Sequence, residues 1–148
     1  MYAQTANQRP AQVLLVEDSR TQAVLVENAV GKLDLLELVH TAEDGEKALA
    51  YLRKEGNFKN AQRPDVILLD LNMPKMNGFE VLEELKSDES LRGIPVIVLT
   101  TSELKEDIAK AYEHGASTFI TKPASFDELL RTLEDFGRYW GNAKLATA

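Results

Sequence analysis

Four short apolar runs in this chain each end on side chains that can do chemistry. QVLLVE at 12–17 ends in Glu17 and is followed by Asp18, and DVILLD at 65–70 ends in Asp70. PVIVLT at 95–100 ends in Thr100, with Thr101 and Ser102 behind it, and the stretch 117–121 leads into Lys122-Pro123. If the runs are strands of one sheet, three carboxylates, a hydroxyl and an ammonium meet on one rim. Carboxylates a few ångströms apart raise one another's pKa unless a cation is present. A cluster of oxygen donors without histidine or cysteine suits a hard ion, and Mg²⁺ is the natural candidate. Mg²⁺ typically takes one or two carboxylates, water and substrate phosphate, so phosphate chemistry is the expected use. Asp18 taken alone reads as the cap of a following helix. The recurrence of such groups at strand ends is what points to a site.

The elements that must position these residues follow from apolar spacing. Gln12 to Glu17 reads as a strand buried on both faces, and Thr21 to Val30 as a helix that stops near Gly31. Leu35 to Thr41 is a second strand and Glu43 to Lys54 a second helix, followed by a polar loop, EGNFKNAQRP, at 55–64. Asp65 to Asp70 is the third strand, LNMPKMNG at 71–78 a turn-rich loop, and Phe79 to Lys86 a helix. Pro95 to Thr100 is the fourth strand and Leu104 to His114 a helix stopped by Gly115. Ser117 to Thr121 and Phe126 to Phe136 complete the set as strand and helix. Five such alternations predict an α/β fold: a flavodoxin-like (βα)5, doubly wound, parallel five-stranded sheet of order 2-1-3-4-5. Sheets of this kind bind ligands beyond the carboxyl ends of their strands, where the residues above stand.

The 148 residues fit one domain, read here as 12–140, with flexible tails at 1–11 and 141–148. The formal net charge of −7 disfavours binding to nucleic acid, which needs a basic face. There is no cysteine, so a thiolate metal site is excluded, and the two histidines, His40 and His114, argue against a histidine-rich zinc site. No apolar run approaches the roughly 18 residues of a membrane span. The start, MYAQTANQRP, has no signal-peptide pattern, so a soluble cytoplasmic protein is expected.

VLLVEDS at 13–19, VILLDLNMPKMNGFEVL at 66–82, PVIVLTTS at 95–102 and FITKP at 119–123 resemble the signature blocks of the CheY-like response regulator receiver family. The resemblance runs from about Gln12 to Phe136. It implies that Asp70 is the phosphoacceptor, attacking the phosphorus of a phosphohistidine. It implies Mg²⁺ held by Asp18, Asp70 and the backbone carbonyl of Asn72, with Glu17 helping, often through water. Lys122 would pair with the acceptor carboxylate and then with phosphoryl oxygens, and Thr100 would offer its hydroxyl to a phosphoryl oxygen. Phe119 stands at the family's aromatic switch position, and the Lys122–Pro123 peptide is cis in the family. The phosphoryl donor is a sensor histidine kinase, which agrees with the lack of a GxxxxGK[ST] loop in this chain. Such a domain is not an enzyme beyond its own phosphorylation and dephosphorylation.

No effector domain follows the last helix of this sequence, so output through protein–protein contact is expected. Phe136, Tyr139 and Trp140 lie past the usual end of that helix. They read either as a clamp on the chain's own sheet or as a homodimer interface, where Tyr and Trp are enriched. The 55–64 loop, the TTS at 100–102 and this aromatic tail resemble, more narrowly, the small response regulators of cyanobacterial phytochromes. That resemblance implies a light-regulated kinase partner and a homodimer. Two other readings use the same residues: a small Mg²⁺-dependent phosphatase of the haloacid dehalogenase type, and a phosphorylation-independent adaptor. The first is disfavoured because Asp70-Leu71-Asn72 lacks the Asp-x-Asp of that class, and the second because the acidic pair, Asp70, Thr100 and Lys122 are all present.

Overall fold

Strand side chains point alternately to opposite faces, so an all-apolar strand needs cover on both sides. The computed structural model describes residues 9–71, 73, 76–101 and 104–147, with side chains described through Trp140. In chain order its elements are β1 (Ala11–Val16), α1 (Arg20–Gly31), β2 (Leu36–Ala42), α2 (Gly45–Leu52) and β3 (Val66–Leu69). Then come α3 (Gly78–Ser87), β4 (Val96–Thr100), α4 (Lys105–Glu113), β5 (Thr118–Thr121) and α5 (Phe126–Thr147). The five strands pair in parallel in the order β2-β1-β3-β4-β5, the flavodoxin-like arrangement that the sequence predicts.

The alternation sorts the core into two layers. Leu14, Val16, Ile67, Leu69, Val96 and Val98 pack with α2, α3 and α4. Val13, Leu15, Val66, Leu68, Ile97 and Leu99 pack with α1 and α5. Burying each such side chain stabilises by about 1.5–3 kcal/mol, and a slip of one residue would exchange the layers. The register is therefore well specified. It sets Val16 opposite Leu69, Leu69 opposite Val98 and Thr100 opposite Thr121, so the residues that follow emerge at one edge.

Several boundaries differ from those expected. The second helix is shorter than 43–54. The Asp44 carboxylate accepts from the Lys47 amide at 2.8 Å and starts it at Gly45, and Lys54 sits at φ 56°, outside helical space. A single 3₁₀ turn, Gly56–Phe58, lies within the 55–64 loop. Ala11, assigned above to a tail, is the buried first residue of β1, and its amide donates to the Leu35 carbonyl. The last helix does not stop at Phe136 but runs to Thr147, through residues assigned above to a flexible tail. Its apolar stripe continues through Phe136 and Trp140, and Ala143, Leu145 and Ala146 are strong helix formers. The β1–β2 ladder also carries an irregularity: Val13 pairs with Leu38 but Leu14 with His40, leaving Val39 as an extra residue on the outer strand.

One glycine is required by close approach. A Cβ on Gly78 would lie 2.6 Å from the Leu71 Cα and 2.8 Å from the Asp70 carbonyl oxygen, both backbone atoms that cannot swing aside. Gly78→Ala is expected to cost about 2 kcal/mol, as overpacking commonly does. Urea unfolding measures this, and an unchanged midpoint would show that the loop after β3 yields freely.

Candidate functional site

Each functional side chain sits at a strand end or one or two residues past it. The Asp70 amide donates to the Val16 carbonyl at 3.0 Å, which extends the β1–β3 ladder and brings Asp70 beside Glu17. Carboxylate oxygens of Glu17, Asp18 and Asp70 all lie within 4.8 Å of one another. Glu17 and Asp70 are only 3 % and 9 % exposed, whereas Asp18 is open to solvent. Lys122 follows β5, and its Nζ donates to Glu17 Oε1 at 2.5 Å between two buried side chains. Glu17 Oε2 accepts from the Ser19 amide at 3.3 Å, and Ser19 Oγ in turn accepts from the Gln22 amide to cap α1. Thr100 is fully buried at the end of β4, and its carbonyl accepts from the Lys122 amide at 2.6 Å.

This arrangement carries electrostatic strain. The Glu17 carboxyl is pushed up to about 7, most of all by burial, against the opposing hydrogen bond from Lys122. The charge of Asp70 adds to the rise, and the Lys122 charge opposes it. Burial disfavours the ionised form, and a neighbouring like charge disfavours it further. A site that holds a proton near neutrality is one where a divalent cation finds ready charge compensation. The donors are carboxylate oxygens throughout, as a hard cation prefers.

A family model described as "Response regulator receiver domain" matches residues 13–134. The chain belongs to the response regulator receiver family. Among relatives of this receiver, the response regulator Rcp1 of Synechocystis is 37% identical over 131 residues, covering 88% of this chain and 89% of Rcp1. The probable methanogenesis regulatory protein FilR2 of Methanothrix harundinacea is 42% identical over 132 residues, covering 88% of this chain and 84% of that protein. Of solved structures, the phosphorylated cyanobacterial phytochrome response regulator RcpA superposes with a TM-score of 0.82 at 42% identity, covering 94% and 96% of the two chains. The Mn²⁺-bound form of Rcp1 superposes at 0.77 with 38% identity, covering 88% of this chain and 94% of that one.

The receiver fold thus brings Glu17, Asp18, Asp70 and Lys122 together as the sequence predicts. Two details differ from what the resemblance implies. Lys122 is hydrogen-bonded to Glu17, the more deeply buried acid, where pairing with Asp70 was expected. No peptide bond among the described residues is cis, so Lys122–Pro123 is trans, following the ordinary preference of X–Pro bonds. Asn72 and Ser102 lie outside the described residues. Phe119 is half-buried and packs against the layer shared by α2, α3 and α4. Phe136 belongs to its own chain's core, and Trp140 packs beside it with ring centroids 6.1 Å apart, as the clamp reading has it. Tyr139, at 68 % exposure, is the member of the aromatic tail that faces solvent. The sequence reading missed Ser19 as a donor to Glu17 and Tyr112 as a partner of Phe119. The hydrogen-bonding pair at 17–19 had a signal in the local turn, whereas Tyr112 is seven residues away on another element.

Glu17 binds its proton more tightly in the folded protein than in the unfolded chain. Its contribution to stability is therefore complete below about 4.5 and is lost as pH rises to about 7. In urea unfolding without divalent ions, the stability of the natural protein relative to Glu17→Gln is expected to fall from pH 5 to 7.5. A difference independent of pH would contradict the buried proton.

Proposed function

We propose that this receiver accepts a phosphoryl group on Asp70 from the phosphohistidine of a sensor histidine kinase and signals through protein contacts. The observation that carries this reading is the meeting of Glu17, Asp18 and Asp70 within 4.8 Å, with the Lys122 ammonium bonded into the cluster. An Asp70 oxygen attacks phosphorus, the new O–P bond forms, and the P–N bond to the imidazole breaks with its electron pair staying on that nitrogen, so a ring protonated at its other nitrogen leaves as neutral imidazole. The equatorial phosphoryl oxygens need positive charge as they pass through the transition state. Lys122 supplies some of it once it turns from Glu17. Mg²⁺, when bound, supplies the rest by neutralising phosphoryl and carboxylate oxygens. Asp18 and Asp70 would hold it directly and Glu17 through water, with the Asn72 carbonyl as a further oxygen. The Mn²⁺-bound form of Rcp1 supports a divalent ion of this kind.

Thr100 and Phe119 form the response. A phosphoryl oxygen near Asp70 attracts the Thr100 hydroxyl, and the space vacated lets the half-buried Phe119 ring turn inward. The phosphorylated state of RcpA supports phosphoryl acceptance here, and the likeness to RcpA and Rcp1 supports a phytochrome as the kinase. No helix among the described residues is long and apolar enough to cross a membrane. A cytoplasmic location goes with that reading.

Acetyl phosphate with Mg²⁺ is expected to label the protein to one phosphoryl group per chain, and Asp70→Asn to abolish labelling while keeping the fold. Continued stoichiometric labelling of the variant would refute the site. No labelling of the natural protein would favour the phosphorylation-independent adaptor, and steady turnover of a phosphate ester would favour the phosphatase.

Pairing of two copies through α5 fits the same reading. Tyr139 stands at the rim of a groove of about 640 Å³ that Pro95, Ile97, Ile120, Phe136 and Trp140 also line. Light scattering is expected to give a dimer mass for the natural protein and a monomer mass for Tyr139→Asp. Unaltered mass in the variant would remove Tyr139 from the interface.

A further inference from the structure

The outer strand β5 has β4 on one side only, and each of its four residues is partly buried. A backbone amide on the free side of such a strand ordinarily goes to water. At Phe119 it does not: the amide donates to the Tyr112 hydroxyl at 3.1 Å. Tyr112 belongs to α4 and is 48 % exposed, so it reaches the strand across the surface.

The helix that carries Tyr112 is lightly held. Ala111 is its one buried residue, and Leu104 at its N-cap has no side chain able to accept from the first-turn amides. On the α3 side, Lys110 Nζ lies 4.4 Å over the Phe79 ring, and the His114 ring is 5.9 Å from Phe79. On the β5 side, the Tyr112 hydroxyl supplies a directional tie to the backbone. The chain enters α4 from the end of β4, just past Thr100, and Thr100 is itself joined to β5 through the Lys122 amide. So α4 is attached to the sheet near both residues that respond to a phosphoryl group in the reading above.

We infer that Tyr112 is a positioning residue whose hydroxyl clamps α4 to the Phe119 backbone and is released when Asp70 is phosphorylated. This rests on the phosphoacceptor reading. A hydrogen bond at 3.1 Å is lost when its partners separate by a further ångström or less. A shift of Thr100 toward the site pulls on the Lys122 amide bonded to its carbonyl and so on the end of β5, and an inward turn of Phe119 moves its amide. Both act on the same bond. Once it opens, the Tyr112 hydroxyl and the Phe119 amide become a donor–acceptor pair that a partner protein can use, and α4 moves more freely.

The test is amide hydrogen exchange by NMR on the full chain, natural and Tyr112→Phe, with and without beryllofluoride and Mg²⁺. Without the phosphoryl mimic, Tyr112→Phe is expected to speed exchange at Phe119 and along α4 by about two- to tenfold, the range for one net hydrogen bond. Amides of β1 and β3 should be unaffected, which also shows that the variant is folded. The mimic should speed the same Phe119 and α4 amides in the natural protein by a similar factor, and by less than about twofold in Tyr112→Phe, since the bond it opens is already gone. Unchanged exchange in the variant overturns the clamp. An equal response to the mimic in both proteins overturns its release by phosphorylation. If the mimic does not perturb the Asp70 amide at all, the phosphoacceptor reading fails and the signalling role given to Tyr112 falls with it. The exchange rates of the variant alone then decide whether the hydroxyl holds α4.

Discussion

Glu17 and Asp70 are held side by side under the rim of the sheet, where neither can spread its charge into water. Burial pushes the Glu17 carboxyl up to about 7, the Lys122 hydrogen bond opposes that and the charge of Asp70 adds to it, so Glu17 keeps a proton near neutral pH unless a cation sits with the pair. Lys122 is the part of the answer that the chain carries itself. A phosphoryl group entering such a place brings more negative charge and depends on the same cationic groups. A phosphoryl group at this place would therefore draw on the charge that Lys122 now gives to Glu17.

The sheet keeps this tension in place because its central strands are packed on both faces. Leu68, Leu69, Val98 and Leu99 alternate between two full layers, so β3 and β4 cannot shift without disrupting both. The acids are thus delivered by strands packed on both faces. Thr100 sits at the boundary, fully buried at the last position of β4.

Most of the fold was legible because its strands are short, wholly apolar and bounded by turn residues. That pattern sets the number and order of the strands and puts Glu17, Asp18, Asp70, Thr100 and Lys122 at one edge. Helix ends were less legible. Asp44 shortens α2 through a cap that competes with the helical pattern around it, and α5 outruns Phe136, passing Gly137 with Trp140 still packed on the core. Side-chain partners were not legible. Which acid Lys122 meets is set by the three-dimensional placement of side chains from different strands, and the bond from Phe119 to Tyr112 joins elements whose spacing carries no local signal.

Both outer strands of the sheet are poor templates for a further strand. The extra residue at Val39 kinks β2 out of regular pairing, and the Tyr112 hydroxyl occupies the Phe119 amide on β5. Backbone edges are promiscuous, since any extended segment can zip onto them whatever its sequence. At these two places an incoming strand would find the edge already broken or occupied. A sheet edge blunted in this way resists fibre-like stacking of one copy on the next.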